Sequence, residues 1–285
     1  MKTILHATDF SAHAVPALRL AHAMSKASGS SLIVLHVFDI PTIVSSPRES
    51  GTFAVIEKDV QQLETVRLET FCREQLGEPA SKGVRFMVKE SGTPAKAIMQ
   101  IADEVDADMV LVGTRGESRL RELLMGSTAK RLLKECQRPV LVVPADARTK
   151  APERIAQAVL TEEVDVAAVL QGLRTADALG ATLVVVHVAS VNDKAAHERL
   201  SELIARVKER TGRKQIQHKV VHVREITVAE GLDQYLLNHP ADLLMMLERR
   251  QHNVLDMLFG SDMIAGMAFH TKVPTLVLRE ERRSL

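Results

Sequence analysis

The residues that best suit a binding site, by type and by spacing, are three glycines and a serine that follow a short apolar run. Gly113 and Gly116 come directly after DMVLV, and Gly126 and Ser127 follow in a G-x2-G-x9-G-S pattern. Glycines at a strand-to-helix turn let backbone N–H groups approach an anion, and the N-terminus of a helix opened by Ser127 attracts phosphate. The pattern therefore favours phosphate binding. The alternative is a tight turn followed by an ordinary helix N-cap.

A second candidate group, Ala7-Thr8-Asp9, ends the first apolar run of the chain. A carboxylate at this place can accept hydrogen bonds from ribose hydroxyls or from an adenine amino group. It can equally cap the helix that we expect to begin near Ser11. Both roles of Asp9 stay open on the sequence alone.

The elements that position these residues alternate along the chain. Five short, β-branched runs, KTILHATDF, SLIVLHVF, VRFMVKE, DMVLVGT and RPVLVVP, are separated by stretches with helical spacing of apolar residues. The clearest helical stretches cover residues 14–24, 60–71 and 95–101, and Thr93-Pro94 predicts an N-cap with a first-turn proline. This order predicts a doubly wound, Rossmann-like parallel sheet. Both candidate groups then lie at the carboxyl ends of strands, where ligands bind in such sheets.

The same order of elements recurs in the second half, as RIAQAVL, TLVVVHV, QHKVVHV, DLLMMLE and VPTLVLR. We therefore predict two tandem α/β domains, residues 1–147 and 152–285, each with five strands in the order 3-2-1-4-5. The polar segment DARTKAPE would join them. The first copy is longer between its second and third strands, where residues 39–53 read as a loop that either covers a ligand or is an idle surface segment.

The second copy differs at the candidate positions. Aligning the repeats puts Leu160 opposite Asp9, and it puts Leu247 and Arg250 opposite Gly113 and Gly116. Leucine cannot accept hydrogen bonds from ribose hydroxyls or from an adenine amino group, so we predict that the second copy does not bind a nucleotide. Its Arg249-Arg250 pair, beside Gly260-Ser261, reads as a solvated surface, with a small-anion site as the alternative.

Composition excludes several classes of function. The formal net charge is +1, from 37 basic and 36 acidic residues, which gives no overall field to recruit nucleic acid. No apolar run is long enough for a signal peptide or a membrane span, so we expect a cytoplasmic protein without membrane contact.

Cys72 and Cys136 read as buried thiols. His218 and His222 lie on a predicted strand, where they are too far apart for one metal ion, so no metal site is predicted.

Five segments together resemble the universal stress protein family in its tandem two-domain form: ILHATDFS, LIVLHVFD, SGTPAKAI, the G-x2-G-x9-G-S loop and RPVLVVP. The resemblance spans the whole chain. It implies that Asp9 and Val37 contact a nucleoside, that Ala7 and Thr8 approach its base, and that the glycine-rich loop holds phosphates. Ala7 stands where the family often has proline. The candidate nucleotide-binding residues are thus Ala7, Thr8, Asp9, Val37, Gly113, Arg115, Gly116, Gly126 and Ser127.

The resemblance implies an ATP-binding stress-response protein, with or without Mg²⁺. There is no Walker lysine and no evident carboxylate cluster for magnesium, so fast hydrolysis is not expected and no catalytic residue is assigned. We favour an occupancy switch in which ATP orders residues 117–125, with slow ATPase or autophosphorylating activity second. A scaffold for partner proteins that binds no nucleotide is the alternative from another class.

The last strand of each copy predicts how the copies associate. RPVLVVP and VPTLVLR are short apolar edge strands that need covering, and in the resembled family the fifth strand commonly pairs domains. We expect them to pair within the chain as a built-in pseudo-dimer. The apolar residues of RELLMGST and MLFG leave a homodimer open as well.

Overall fold

The computed structural model describes residues 1–40, 50–78, 83–114, 126–224, 227–249, 266–267 and 271–280, with side chains from residue 58 onward in the second helix. The predicted contributions of Arg115, Gly116, the 117–125 segment, Arg250, Gly260-Ser261 and the apolar segments RELLM and MLFG lie outside these residues. So does most of the predicted loop at 39–53.

The first copy of the repeat alternates strands and helices as the sequence predicts. Its elements are β1 (Thr3–Thr8), α1 (Val15–Ser28), β2 (Ser31–Phe38), α2 (Ser50–Leu76), β3 (Val84–Glu90), α3 (Pro94–Glu104), β4 (Met109–Gly113), α4 (Ser127–Glu135) and β5 (Val140–Val143). The three clearest helical patterns fall within α1, α2 and α3.

The second copy follows the same plan. Its described elements are β6 (Arg154–Ala158), α5 (Glu163–Leu179), β7 (Thr182–Ser190), α6 (Ala196–Thr211), β8 (Gln217–Val223), α7 (Val228–Asn238), β9 (Leu243–Glu248) and β10 (Thr275–Arg279). Helix α6 has 16 residues where α2 has 27, so part of the extra length in the first copy is helical. Residues 50–53, predicted as loop, belong to that helix.

The ten strands in the described ranges form one sheet in the order β3-β2-β1-β4-β5-β10-β9-β6-β7-β8. Each half has the predicted order 3-2-1-4-5, and its internal pairs are parallel. The two halves join where β5 pairs antiparallel with β10, with Leu141 opposite Leu276. The fifth strands therefore cover each other within the chain, as predicted for a pseudo-dimer.

Alternating side chains of the strands supply two apolar layers, one on each face of the sheet. In β1, Ile4 packs in one layer and Leu5 in the other, and both are fully buried. Two histidines repeat one structural contact. The Nδ1 atom of His36 lies 2.9 Å from the carbonyl oxygen of Thr8, and that of His187 lies 3.0 Å from the carbonyl oxygen of Val159. These matched bonds fix the alignment of the two copies at the end of the first strand.

Helix α3 begins where the sequence predicts, with Thr93 as its N-cap residue. Pro94 occupies its first turn as expected, but the Thr93 side chain makes no capping hydrogen bond. Instead, the backbone N–H of Thr93 donates to the Ser91 hydroxyl at 3.1 Å. In α7 of the second copy, the Thr227 hydroxyl does accept from the Glu230 backbone N–H, and the Glu230 carboxylate caps in return.

The two cysteines are buried thiols, as predicted. Burial raises the pKa of Cys72 to about 12 and also raises that of Cys136, so neither is a ready nucleophile near neutral pH. None of the helices in the described ranges is long and apolar enough to cross a membrane.

Helix α7 approaches the sheet closely at Gly231. A Cβ atom at this position would lie 2.7 Å from Cγ1 of Val188 and 2.8 Å from Cγ1 of Val223. We expect Gly231→Ala to lower the free energy of unfolding by about 1–2 kcal/mol, because overpacking outweighs the gain in helix propensity. Urea denaturation followed by circular dichroism measures this.

Gly83→Ala is the control, since no heavy atom lies within 4 Å of its added Cβ. Its stability should stay within about 0.5 kcal/mol of the parent protein. If Gly231→Ala were as stable as the parent protein, Val188 and Val223 would be able to move aside without a measurable loss of stability.

Candidate functional site

A cavity of about 260 Å³ lies at the carboxyl ends of β1 and β4, where the order of the sheet reverses. The structure brings seven predicted site residues together around it: Ala7, Thr8, Asp9, Val37, Gly113, Gly126 and Ser127. These residues come from the ends of β1, β2 and β4 and from the start of α4. The other two predicted residues, Arg115 and Gly116, lie outside the described part of the chain.

A sharp turn holds Asp9 at the cavity. Phe10 has φ 63°, a conformation that a bulky residue rarely adopts. The hydroxyl of Thr8 accepts the Phe10 N–H at 3.2 Å, and Oδ1 of Asp9 accepts the Ser11 N–H at 3.1 Å. The carboxylate therefore caps a turn that precedes α1 while it lines the cavity. The predicted helix N-cap is wrong, because α1 begins only at Val15, with Ala14 as its N-cap residue.

The N-terminus of α4 also lines the cavity. Its N-cap is Gly126, which offers no side-chain cap, and its first turn carries no acidic residue. The Gly126 N–H is itself bonded to the Thr114 carbonyl oxygen at 2.9 Å, which fixes the helix against the end of β4. The free N–H groups of a first turn and the helix dipole together favour an anion here.

Apolar side chains also line the cavity. Val37, Ile98 and Val112 line the cavity with Pro94 and Ala129. Among the described lining residues, Asp9 carries the only formal charge. The cavity thus offers an apolar surface for a flat ring, a carboxylate for hydroxyl or amino donors, and a helix end for an anion.

Six lining residues were not singled out from the sequence: Ala14, Pro94, Ile98, Val112, Thr128 and Ala129. Thr128 and Ala129 follow Ser127 in the first turn of α4, and Pro94 and Ile98 share one face of α3 at i, i+4 spacing. These four could have been found from the helix prediction. Ala14 carries no signal in the sequence.

The second copy fills the corresponding region with its own ion pairs. The matched histidine bonds place Leu160 at the position of Asp9, and Thr161, with φ 71°, at that of Phe10. Further along the same turn, Asp165 stands at the position of Ala14 and is 1% exposed. Its Oδ2 atom accepts the N–H of Leu160 at 3.1 Å and that of Glu162 at 2.9 Å. Asp165 thereby caps the turn that Asp9 caps in the first copy.

Arg249 closes this arrangement. Its guanidinium donates to Oδ2 of Asp165 at 2.8 Å and also pairs with the Glu162 carboxylate. The expectation that Arg249 belongs to a solvated surface is wrong, because the residue is 7% exposed and its charge is neutralised internally. Burial raises the pKa of Asp165, against the opposing effect of the Arg249 guanidinium.

Leu247, at the position of Gly113, does not fill this region. The strand register places it opposite Leu278 as Gly113 is placed opposite Val143. Its side chain packs in the apolar layer with residues of α5 such as Val169 and Leu173. The polar residues Asp165 and Arg249, and not the leucine, therefore occupy the second copy's equivalent of the site.

The histidines of the second copy form no metal cluster in the described ranges, where no group of three potential ligands comes together. His218 and His222 lie on β8, as predicted. Nδ1 of His218 bonds to the Ile216 carbonyl oxygen at 2.9 Å, and Nε2 of His222 lies 3.3 Å from Nε2 of His197.

Comparison with known proteins agrees with this architecture. The model of the universal stress protein family matches the chain twice, over residues 1–144 and 153–279. A universal stress protein of Thermus aquaticus is 32% identical over 143 residues, which cover 50% of this chain and 98% of the relative. One from Methanocaldococcus jannaschii is 30% identical over 152 residues, covering 50% and 94%. A crystal structure of a universal stress protein from Archaeoglobus fulgidus shares the tandem fold, with TM-score 0.67 at 19% identity over 98% of this chain and 97% of that one.

Proposed function

The chain belongs to the universal stress protein family, and from that premise we propose that its first copy binds an adenine nucleotide, ATP with or without Mg²⁺. The observation that carries the proposal is one cavity that joins the Asp9 carboxylate to the uncapped N-terminus of α4. A nucleoside phosphate has the matching parts: a flat base, hydroxyl and amino donors, and an anion.

Each part of the cavity lining has a distinct role in this proposal. Asp9 accepts hydrogen bonds from the ribose or the base, and Ala7, Thr8 and Val37 contact the base. Backbone N–H groups of the first turn of α4, from Ser127 onward, hold the phosphates. Gly126, whose own N–H is bonded to Thr114, leaves their approach free of a side chain, together with Gly113, Arg115 and Gly116 of the glycine-rich segment. Mg²⁺, when bound, would neutralise phosphate charge that the described lining residues do not offset.

Binding without rapid turnover fits this site best. Of the described lining residues, only Asp9 has a carboxylate, and its Oδ1 atom already accepts the Ser11 N–H. Efficient phosphoryl transfer needs further groups to seat the metal and to orient the attacking nucleophile. We therefore propose that nucleotide occupancy is the signal, with slow hydrolysis or autophosphorylation as a weaker accompanying activity.

A second candidate function is a scaffold for partner proteins that uses no nucleotide. The second copy supports it, because that copy keeps its fold and its pairing through β10 while Asp165 and Arg249 occupy the region of its site. The two candidates differ in one measurable respect, the binding of ATP.

Isothermal titration of nucleotide-free protein with ATP, with and without Mg²⁺, tests the proposal. We expect saturable binding near one site per chain, since Asp165 and Arg249 occupy the equivalent region of the second copy. Two sites would contradict the assignment of the second copy. No binding, in protein shown to carry no co-purified nucleotide, would favour the scaffold.

Asp9→Ala should weaken ATP binding about tenfold or more, since a hydrogen bond to a charged group contributes about 1.5–3 kcal/mol. Asp106→Ala is the matched control, because that carboxylate lies in the same copy and pairs with Arg138 at an exposed site. Its affinity for ATP should match the parent's. Equal affinities of Asp9→Ala and the parent would remove Asp9 from the site.

A further inference from the structure

The second copy holds a helix of the first copy through Arg279, the last residue of β10. Nη2 of this guanidinium donates to the carbonyl oxygens of Leu132 and Leu133, at 3.0 and 2.6 Å. Nη1 forms an ion pair with Glu248, the last residue of β9. The side chains of Arg279 and Glu248 are only 12% and 16% exposed. A buried pair from the second copy thus caps α4 of the first.

Helix α4 depends on such a cap because of its length. It has nine residues, and helices this short are marginal without tertiary contacts. Carbonyl groups of a helix's last turn lack partners within it. Arg279 bonds that of Leu133 and shares that of Leu132 with the Cys136 N–H. Burial lowers the pKa of Arg279 to about 10, so it stays a cation near neutral pH. A cation at this end also complements the helix dipole.

The residue of the first copy at the position of Arg279 cannot return this contact. Because Leu278 pairs with Leu247 as Val143 pairs with Gly113, Arg279 follows at the position that Pro144 has in the first copy. Proline has no side-chain donor, so it cannot cap a helix of the second copy in return. The repeat is therefore asymmetric at this point: the copy with the filled site supports the copy with the open one.

The other end of α4 is the anion-attracting end of the cavity, where Gly126, Ser127 and Thr128 lie. We propose that Arg279 is a positioning residue for this end of the site, so that the second copy sets the affinity of the first for the nucleotide's phosphates. This inference rests on the proposed function. Loss of Arg279 should therefore weaken recognition of the phosphates and leave the nucleoside contacts at Asp9 and Val37 unaffected.

The test compares ATP with adenosine in titrations of the full chain. Arg279→Met combined with Glu248→Gln removes the cap without leaving an unpaired buried carboxylate. We expect it to bind ATP about tenfold more weakly, within the usual range for coupled sites, and adenosine within about twofold of the parent. Arg279→Lys, which keeps the charge but cannot bond both carbonyls equally well, should recover part of the loss.

Arg138→Met is the matched control. Like Arg279, Arg138 pairs with a carboxylate, that of Asp106, and donates to a backbone carbonyl, but this carbonyl belongs to Ala107 and not to α4. It should bind both ligands like the parent. An unchanged ATP affinity in the double variant and in Arg279→Lys would overturn the inference while the parent's binding upholds the proposed function. Equal losses for ATP and adenosine would also overturn it. If the parent binds no ATP, the proposed function itself fails.

Discussion

Ala14→Asp is expected to abolish nucleotide binding by the first copy while leaving the protein folded. Ala14 lines the cavity and is 3% exposed. The substitution copies Asp165, which occupies the same position in the second copy. A carboxylate here would lie in the same cavity as Asp9 and would meet an incoming phosphate as a like charge. Such a juxtaposition costs several kcal/mol, so we expect affinity for ATP to fall at least about a hundredfold.

The fold should tolerate the new carboxylate because Ala14 is the N-cap residue of α1, a position that favours aspartate. Ala14→Asn is the matched control, since it adds nearly the same volume without the charge. We expect it to lose much less affinity than Ala14→Asp. Ala14→Asp should remain folded at the titration temperature but unfold at a lower temperature than Ala14→Asn, because its carboxylate has no cation among the described lining residues. Titration with ATP and thermal unfolding of the three proteins measure this. Equal losses of ATP affinity in Ala14→Asp and Ala14→Asn would mean that the volume of the new side chain, and not its charge, excludes the nucleotide.

The sequence predicts the part of the site that depends on local pattern and strand order. Asp9, Gly113 and Gly126 are far apart in the chain, but each follows or precedes a strongly patterned element. Parallel strands in the order 3-2-1-4-5 bring those element ends to one edge. The cavity could therefore be anticipated from the alternation of strands and helices together with two short motifs.

Two residues that the sequence did not reveal are Asp165 and Arg279, because alignment of the repeats does not show the contacts that they make. In the first copy, Asp9 accepts the N–H of Ser11 from the preceding side of the turn. In the second, Asp165 accepts the equivalent N–H of Glu162 from the following side. Alignment of the repeats shows the loss of the aspartate but not its replacement from another position. Arg279 escapes prediction for a similar reason, because its bonds to α4 depend on the pairing of β5 with β10.

Arg249→Met should strongly destabilise the second copy. It would leave the buried carboxylate of Asp165 without its cation, a change that typically costs about 3–5 kcal/mol. We expect the free energy of unfolding of nucleotide-free protein, from urea denaturation, to fall by about this amount. Arg213→Met is the control in the same copy, because Arg213 and Asp177 pair at the surface, 39% and 57% exposed. Its loss should stay below about 1 kcal/mol.

The pH dependence of the loss identifies its cause. Burial raises the pKa of Asp165 and Arg249 opposes that rise, so removing Arg249 raises the pKa further. A carboxyl group whose pKa is higher in the folded than in the unfolded state favours folding at low pH and loses that contribution as pH rises through the folded value. The deficit of Arg249→Met should therefore be smaller near pH 5 than near pH 7, and Asp165→Asn in the same chain should remove that difference. A deficit that does not vary with pH would mean that lost packing of the arginine side chain, and not an uncompensated charge, destabilises the second copy.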